Sequence, residues 1–418
     1  MSKINRDYYL QQLINHQGDG MVKVVTGMRR SGKSYLLFHL FVEWLENKGV
    51  DSAHLIKLNL EDRRHSRLCD PDNLLAYIDN RIRDNRQYYI LLDEVQNVRD
   101  FESVLNSYLD MPNVDVYVTG SNAHLLSKDV ITEFRGRGWE IQVRPLSFTE
   151  YRQVRPQESD RMALNNYMLY GGLPYAVLLE DESNRKDYLK RLFSQTYLRD
   201  IKQRYAIRLD DDLEELIDIL SSSIGSMTNP KKLSDTFHSV KQSKIAPDTI
   251  KLYLDYLQDA FLIDKATRYD IKGKRYIDTP HKYYFQDLGL RNARINFRQS
   301  EPTHLLENLI YNELCRQGFS VDVGQISTEI IHSGGKRSTG MVEVDFVCNR
   351  GYDRVYIQSA WQLADVDKMQ QELRSLKLIK DNFPKVIISA DSLQPTYRND
   401  DGILILNIFD FLSEKVKL

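Results

Sequence analysis

The segment Gly27-Met28-Arg29-Arg30-Ser31-Gly32-Lys33-Ser34 constrains this chain more than any other stretch. It fits the pattern Gly-x4-Gly-Lys-[Ser/Thr] in full, between the strand-like run VKVV and the helical stretch YLLFHLFVEWLE. In a strand–loop–helix unit of this kind, glycines let backbone N–H groups wrap a phosphate chain while the positive end of the helix faces it. The expected ligand is ATP, with Gly27, Arg29, Arg30, Ser31, Gly32, Lys33, Ser34 and Tyr35 as its candidate binding residues. Lys33 is expected to reach the β- and γ-phosphates, and Ser34 to ligate Mg²⁺.

The surrounding pattern agrees. Short apolar runs at Val22–Thr26, Leu55–Asn59, Tyr89–Leu92, Val114–Thr119 and Trp139–Val143 alternate with helical periodicity. That alternation predicts a parallel sheet covered by helices. The third run ends in Asp93-Glu94 at the sheet's C-terminal edge. Asp93 is expected to hold Mg²⁺ through water, and Glu94 to polarise the attacking water. The fourth run ends in Thr119-Gly120-Ser121-Asn122, which places a polar residue, Asn122, near the γ-phosphate. Before the fifth come Arg135 and Arg137. They either act in trans on a neighbouring subunit's γ-phosphate, which requires a homo-oligomer, or bind local carboxylates and carbonyls.

Bulk properties exclude several classes. With 418 residues the chain has room for two to four domains. A net charge of −2 rules out a global basic field, so any nucleic-acid surface is local. Cys69, Cys315 and Cys348 form no zinc-ligand pattern, and their scarcity suits a reducing compartment. The N-terminal segment has no apolar core, and no apolar run approaches the roughly 20 residues of a membrane span. The expectation is a cytoplasmic protein with no membrane partner.

The P-loop, LLDEVQ, TGSN and RGRG…PLSF segments resemble a family of prokaryotic AAA-type P-loop ATPases. Members carry a C-terminal restriction-endonuclease-like domain of uncertain function. The resemblance spans nearly the whole chain. It implies an α/β core with sheet order 5-1-4-3-2, a helical lid, a winged helix and a C-terminal α/β nuclease-like domain. The corresponding divisions are 1–147, 148–208, 209–298 and 299–418. Pro174, in the turn Gly172-Leu173-Pro174, resembles the lid turn that touches the nucleotide base in related ATPases; a plain helix–helix turn explains it equally.

In the middle segment, three predicted helices precede two short strands around the basic turn Asp270-Ile271-Lys272-Gly273-Lys274-Arg275, a helix-turn-helix followed by a wing. Residues 229–300 hold 14 Lys/Arg against 8 Asp/Glu, an excess of 14 − 8 = +6. Lys272, Lys274 and Arg275 are candidate DNA-phosphate contacts. Asp255 and Asp259 on the third helix oppose that reading, and a docking scaffold is the alternative. In the C-terminal part, the resemblance implies metal ligands at Glu307, Glu343 and Asp345. It departs from the nuclease pattern at the next strand, where Gln358 replaces an acid and Ala360 a lysine. The domain is expected to keep its fold and lack cleavage, unless a lysine such as Lys368 substitutes. Three functions fit: an ATPase that couples ATP binding and hydrolysis to conformational change on DNA, an ATP-gated nuclease, or an ATP-binding scaffold for a protein partner.

Overall fold

The computed structural model describes residues 3–121, 134, 136–207, 210–241, 245–298, 301–331, 337–363, 366–391 and 395–418. Two compact units emerge: Met1–Pro145 with Asp259–Phe261, and Leu146–Gln258 with Leu262–Leu418.

The first unit is built on five parallel strands: β1 (Val22–Thr26), β2 (Leu55–Asn59), β3 (Tyr88–Asp93), β4 (Val114–Thr119) and β5 (Gly138–Gln142). Their order is β2-β3-β4-β1-β5, the predicted order read from the other edge. β1 and β3 are buried along their whole length, which is why they read as mainly apolar runs; the charged residue inside β1, Lys23, is buried in an ion pair with Asp115 of β4. Period-two alternation sends Val22, Val24, Ile90, Leu92, Val116 and Val118 to one face of the sheet. Val25, Tyr89, Leu91, Tyr117 and Ile141 go to the other, where Leu36, Leu37, Leu40 and Phe41 cover them. These four belong to the helical run that starts at Lys33 and is wound as a π-helix over Leu36–Phe41 before ending at Asn47. The topology leaves the C-terminal ends of β1, β3 and β4 side by side, and the P-loop, Asp93 and Thr119 with them.

The second unit opens with helices Phe148–Val154, Asp160–Tyr170, Pro174–Leu178 and Glu182–Leu192. Its framework is an eight-stranded mixed sheet. The strands are β6 (Ile263–Asp270), β7 (Arg275–Phe285), β8 (Ser320–Ile331), β9 (Arg337–Arg350), β10 (Asp353–Ala360), β11 (Lys385–Ser389), β12 (Tyr397–Arg398) and β13 (Leu404–Asn407). Their order is β12-β13-β11-β10-β9-β8-β6-β7.

Helices Asp210–Ser222, Pro230–Lys241 and Pro247–Asp259 fall where the apolar periodicity places them, and Asn229 caps the second through Lys232 N at 2.7 Å. The hairpin after them, read from sequence as a wing, is hydrogen-bonded into the C-terminal sheet. β6 runs parallel to β8, with Arg268 opposite Val323 and Asp270 opposite Gln325. Helix Pro302–Arg316 is fixed to the same hairpin: Asn308 exchanges hydrogen bonds with the backbone N and O of Phe285, each at 2.8 Å. Among the described residues no helix is long and apolar enough to cross a membrane.

Candidate nucleotide site

The loop Gly27–Ser34 leaves β1 through residues at positive φ: Gly27 at 134°, Arg30 at 65° and Gly32 at 99°. Gly27 is required on packing grounds as well, since a Cβ there would lie 2.1 Å from the carbonyl oxygen of Val143. Arg30 is a non-glycine residue held in left-handed backbone, a local strain of the kind that gathers at ligand-binding loops.

Inside the loop, Lys33 Nζ donates to the carbonyls of Gly27 and Met28, at 2.9 and 3.0 Å. Burial lowers the Lys33 ammonium to about 8, against the pull of Glu94 and Asp93. A cation so placed gains most from a polyanion beside it. The Ser31 hydroxyl is fully buried, with no hydrogen-bond partner among the described residues, a polar group suited to a ligand.

Ser34 Oγ donates to Asp93 Oδ1 at 2.9 Å, so the P-loop hydroxyl and the strand-end carboxylate converge. Thr119 Oγ1 donates to the same Oδ1 at 2.5 Å and accepts from the Glu94 backbone N at 3.0 Å. Burial raises the Asp93 carboxyl above its ordinary value, although the Thr119 and Ser34 hydroxyls pull it down. Glu94 sits at φ 56°, which turns its side chain off the strand. Its Oε2 accepts from Ser121 Oγ at 3.0 Å and from the Gln96 side chain. Hard oxygen donors from Ser34 and Asp93, placed together, are the set that Mg²⁺ takes alongside phosphate oxygens.

Of the residues expected here from sequence, Lys33, Ser34, Asp93 and Glu94 thus form one connected cluster with the loop. Asn122 and Arg135 lie outside the described residues. Arg137 is described: its Nη1 donates to Asp110 Oδ1 at 2.8 Å within the same chain. Pro174 begins helix Pro174–Leu178 of the second unit. Its turn is held by the buried Asp287 carboxylate, which accepts from Gly172 N at 2.8 Å and caps helix Leu288–Arg294 through Leu290 N at 2.9 Å.

Three residues join the site that the sequence does not single out. Thr119 and Ser121 lie inside the TGSN motif, ahead of Asn122, and bind the two acids directly. Arg6 is buried and donates to the carbonyls of Ser31, at 2.8 Å, and Arg144, at 2.7 Å, clamping the loop from behind. An isolated arginine in a polar N-terminal segment gives no signal of that role.

Residues 19–152 match a family described as an AAA domain, and residues 161–301 match a domain of unknown function. An uncharacterized protein of Haemophilus influenzae is 33% identical over 419 residues, covering 99% of this chain and 100% of the relative. The uncharacterized protein MJ1544 of Methanocaldococcus jannaschii is 27% identical, covering 97% of this chain and 88% of its own. Among solved structures, the Aeropyrum pernix ORC1 protein in complex with DNA superposes with a TM-score of 0.33 at 12% identity, over 71% of this chain and 93% of that one. Cdc6p from Pyrobaculum aerophilum gives 0.32 at 12% identity, over 74% and 97%.

Proposed function

The chain belongs to one family with the Haemophilus influenzae protein, its N-terminal sheet has the AAA-type P-loop fold, and from that premise we propose that it is a Mg²⁺-dependent ATPase that turns ATP binding and hydrolysis into conformational change on DNA. The observation that carries the reading is the connected set Lys33, Ser34, Asp93, Thr119 and Glu94 at one end of the sheet. Lys33 and the loop N–H groups bind the phosphates. Ser34 and Asp93 would hold Mg²⁺, which would supply charge neutralisation on the phosphates when bound. Thr119 fixes Asp93 and the backbone of Glu94 in one geometry, and Ser121 and Gln96 orient the Glu94 carboxylate toward its water. The direct test is ATP turnover with and without Mg²⁺, and with and without DNA; no turnover under any of these conditions leaves only the ATP-binding scaffold.

The DNA reading rests on the β6–β7 turn. Lys272, Lys274 and Arg275 are exposed there, and Gly273 N bonds Asp270 Oδ1 at 2.9 Å to hold the turn. The +6 counted from sequence overstates the surface charge, because part of it is consumed inside the unit. Lys282 and Arg291 are buried, and Arg294 is paired with Asp218 and Glu214. Reversing the charge at Lys272, Lys274 and Arg275 is therefore expected to weaken DNA binding uniformly across sequences. The log–log salt slope should flatten by nearly one unit for each phosphate that the protein no longer neutralises. Unchanged affinity for the triple variant favours the docking scaffold.

Arg137 is the candidate for completing a neighbour's site in a homo-oligomer, its partly exposed position before β5 being the support. Mixing Arg137→Ala with Lys33→Ala subunits is expected to restore part of the turnover that each lacks alone, since one interface then pairs an intact P-loop with an intact arginine. A fully active monomer in ATP rules this out.

The C-terminal half we read as nuclease-shaped and without cleavage activity. Gln358, in the place of an acid, is engaged with Asp345 in both directions: Nε2 donates to Oδ1 at 3.1 Å, and Oε1 accepts from the Asp345 N at 3.3 Å. Ala360, in the place of the lysine, is buried in the apolar cluster with Tyr356, Leu373 and Ile387. Lys368, the substitute considered from sequence, is paired with Glu372 at 2.7 Å.

A further inference from the structure

Two carboxylates of the nuclease-like set, Glu307 and Glu343, meet at a lysine from outside the set, and among the described residues no three acids gather as a metal-holding group. Lys282, on β7 of the hairpin, is 3% exposed. Its Nζ is 2.8 Å from Glu307 Oε1, on helix Pro302–Arg316, and 2.6 Å from Glu343 Oε1, on β9. Tyr284, two residues along β7, donates its hydroxyl to the same Glu307 oxygen at 2.6 Å. Asp345 is satisfied separately. Its Oδ2 accepts from Ser359 N at 2.8 Å and Ser359 Oγ at 2.6 Å, while Gln358 holds its Oδ1.

Carboxylates brought to one place, here the buried Glu307 and the partly exposed Glu343, repel one another and favour taking up protons or a cation. A metalloenzyme recruits a divalent ion for that purpose, with carboxylate oxygens roughly 2.0–2.6 Å from it. Here an ammonium with three donors already stands at the oxygens of Glu307 and Glu343 that such an ion would need. Burial alone would lower the Lys282 ammonium, but Glu307, Asp345 and Glu343 together hold it above its ordinary value.

We infer that Lys282 is the resident cation of this cluster. It takes the place that a cation would occupy between Glu307 and Glu343, and turns this part of the nuclease-like site into a metal-free lock between the β6–β7 hairpin, the helix and the C-terminal sheet. The inference rests on the reading of the C-terminal half as nuclease-shaped. It adds a physical reason for lost cleavage beyond the changes at Gln358 and Ala360. It also gives the buried lysine a task that a catalytic lysine could not share, because Lys282 is held by two carboxylates and shut off from solvent.

The test is Mn²⁺ binding to the full chain without nucleotide, read by electron paramagnetic resonance. Wild-type protein and Glu343→Gln should titrate alike, since the cluster takes no metal. Lys282→Ala should gain a site at least tenfold tighter than any that wild type shows at the cluster, and adding Glu343→Gln should remove it. Mn²⁺ should also raise the melting temperature of Lys282→Ala and leave that of wild type unchanged. If Lys282→Ala does not fold, Lys282→Met keeps the buried stem and removes the charge. The comparison of wild type with Glu343→Gln decides the matter even without either variant. A wild-type Mn²⁺ site that Glu343→Gln abolishes overturns the inference, as does a folded Lys282→Met that gains none. Failure of the underlying reading looks different: wild type would cut DNA in Mg²⁺ or Mn²⁺, and Asp345→Ala would stop it.

Discussion

Glu94→Gln is expected to lower ATP turnover by about 10²–10⁴-fold, the usual contribution of a positioned general base, while nucleotide affinity changes little. The amide preserves the size of the side chain and an oxygen that accepts from Ser121, so the local hydrogen bonds at Oε2 survive in part. It removes the basic lone pair that polarises water. Lys33→Ala should act one step earlier. It deletes the cation buried against the loop carbonyls and leaves the phosphates without their charge partner, so binding itself is lost. The two variants therefore separate on a plot of bound nucleotide against turnover. Hydrolysis by Glu94→Gln at the wild-type rate would remove Glu94 from the role of base, and would turn attention to the hydroxyl pair Thr119 and Ser121.

The first unit is legible because its signals are local. β1, β2 and β4 have the bounds that the mainly apolar runs give them, since strands of a covered parallel sheet are mostly apolar; the exceptions are Lys23 and Asp115, buried as a pair, and Lys57, exposed on the edge strand β2. Lys33, Ser34, Asp93 and Glu94 follow from spacing within two motifs, each placed at a strand end by the chain itself. The TGSN segment shows where spacing stops helping. Several polar positions close together invite a choice, and only the turn out of β4 decides that Thr119 and Ser121 face the acids.

In the second unit the decisive contacts are long-range. β8 is absent from the sequence reading because SVDVGQISTEII mixes polar residues and a glycine into an edge-like pattern. Gly324 is there because a Cβ would lie 2.8 Å from Ile271 Cδ1 and Val344 Cβ, a crowding that only the packed sheet reveals. For the same reason Lys282 reads, in sequence, as one more basic residue of a DNA-binding module. Its partners, Glu307 and Glu343, lie 25 and 61 residues further along the chain (307 − 282 and 343 − 282), and no local pattern joins them.

Nucleotide affinity should fall as pH rises through 8, and Lys33 is the cause. In the protein without nucleotide its ammonium is held down to about 8, chiefly by burial. A triphosphate beside it favours the charged form, so in the complex the group titrates higher. Above pH 8 binding must then take up a proton, and the affinity loss approaches tenfold per pH unit. Linkage gives a Kd about tenfold weaker at pH 9 than at pH 7, and about thirtyfold weaker at pH 9.5. Below pH 8 the Lys33 contribution is flat.

Stability without nucleotide should run the opposite way. The folded value lies below the unfolded 10.5, so the unfolded chain binds more protons between pH 8 and 10.5. The Lys33 contribution to stability therefore rises across that window, by about 3 kcal/mol for a shift of this size, and is constant below it. Opposite trends in affinity and stability over the same pH range distinguish this mechanism from general alkaline unfolding, which would weaken both together. The measurement is binding of a non-hydrolysable ATP analogue from pH 6.5 to 9.5, with thermal melts of the nucleotide-free protein alongside. Lys33→Arg stays charged throughout and should lose the slope. A Kd that stays flat to pH 9.5 in wild type, or an equal slope in Lys33→Arg, would show that the phosphate-binding cation is not a buried Lys33 poised near pH 8.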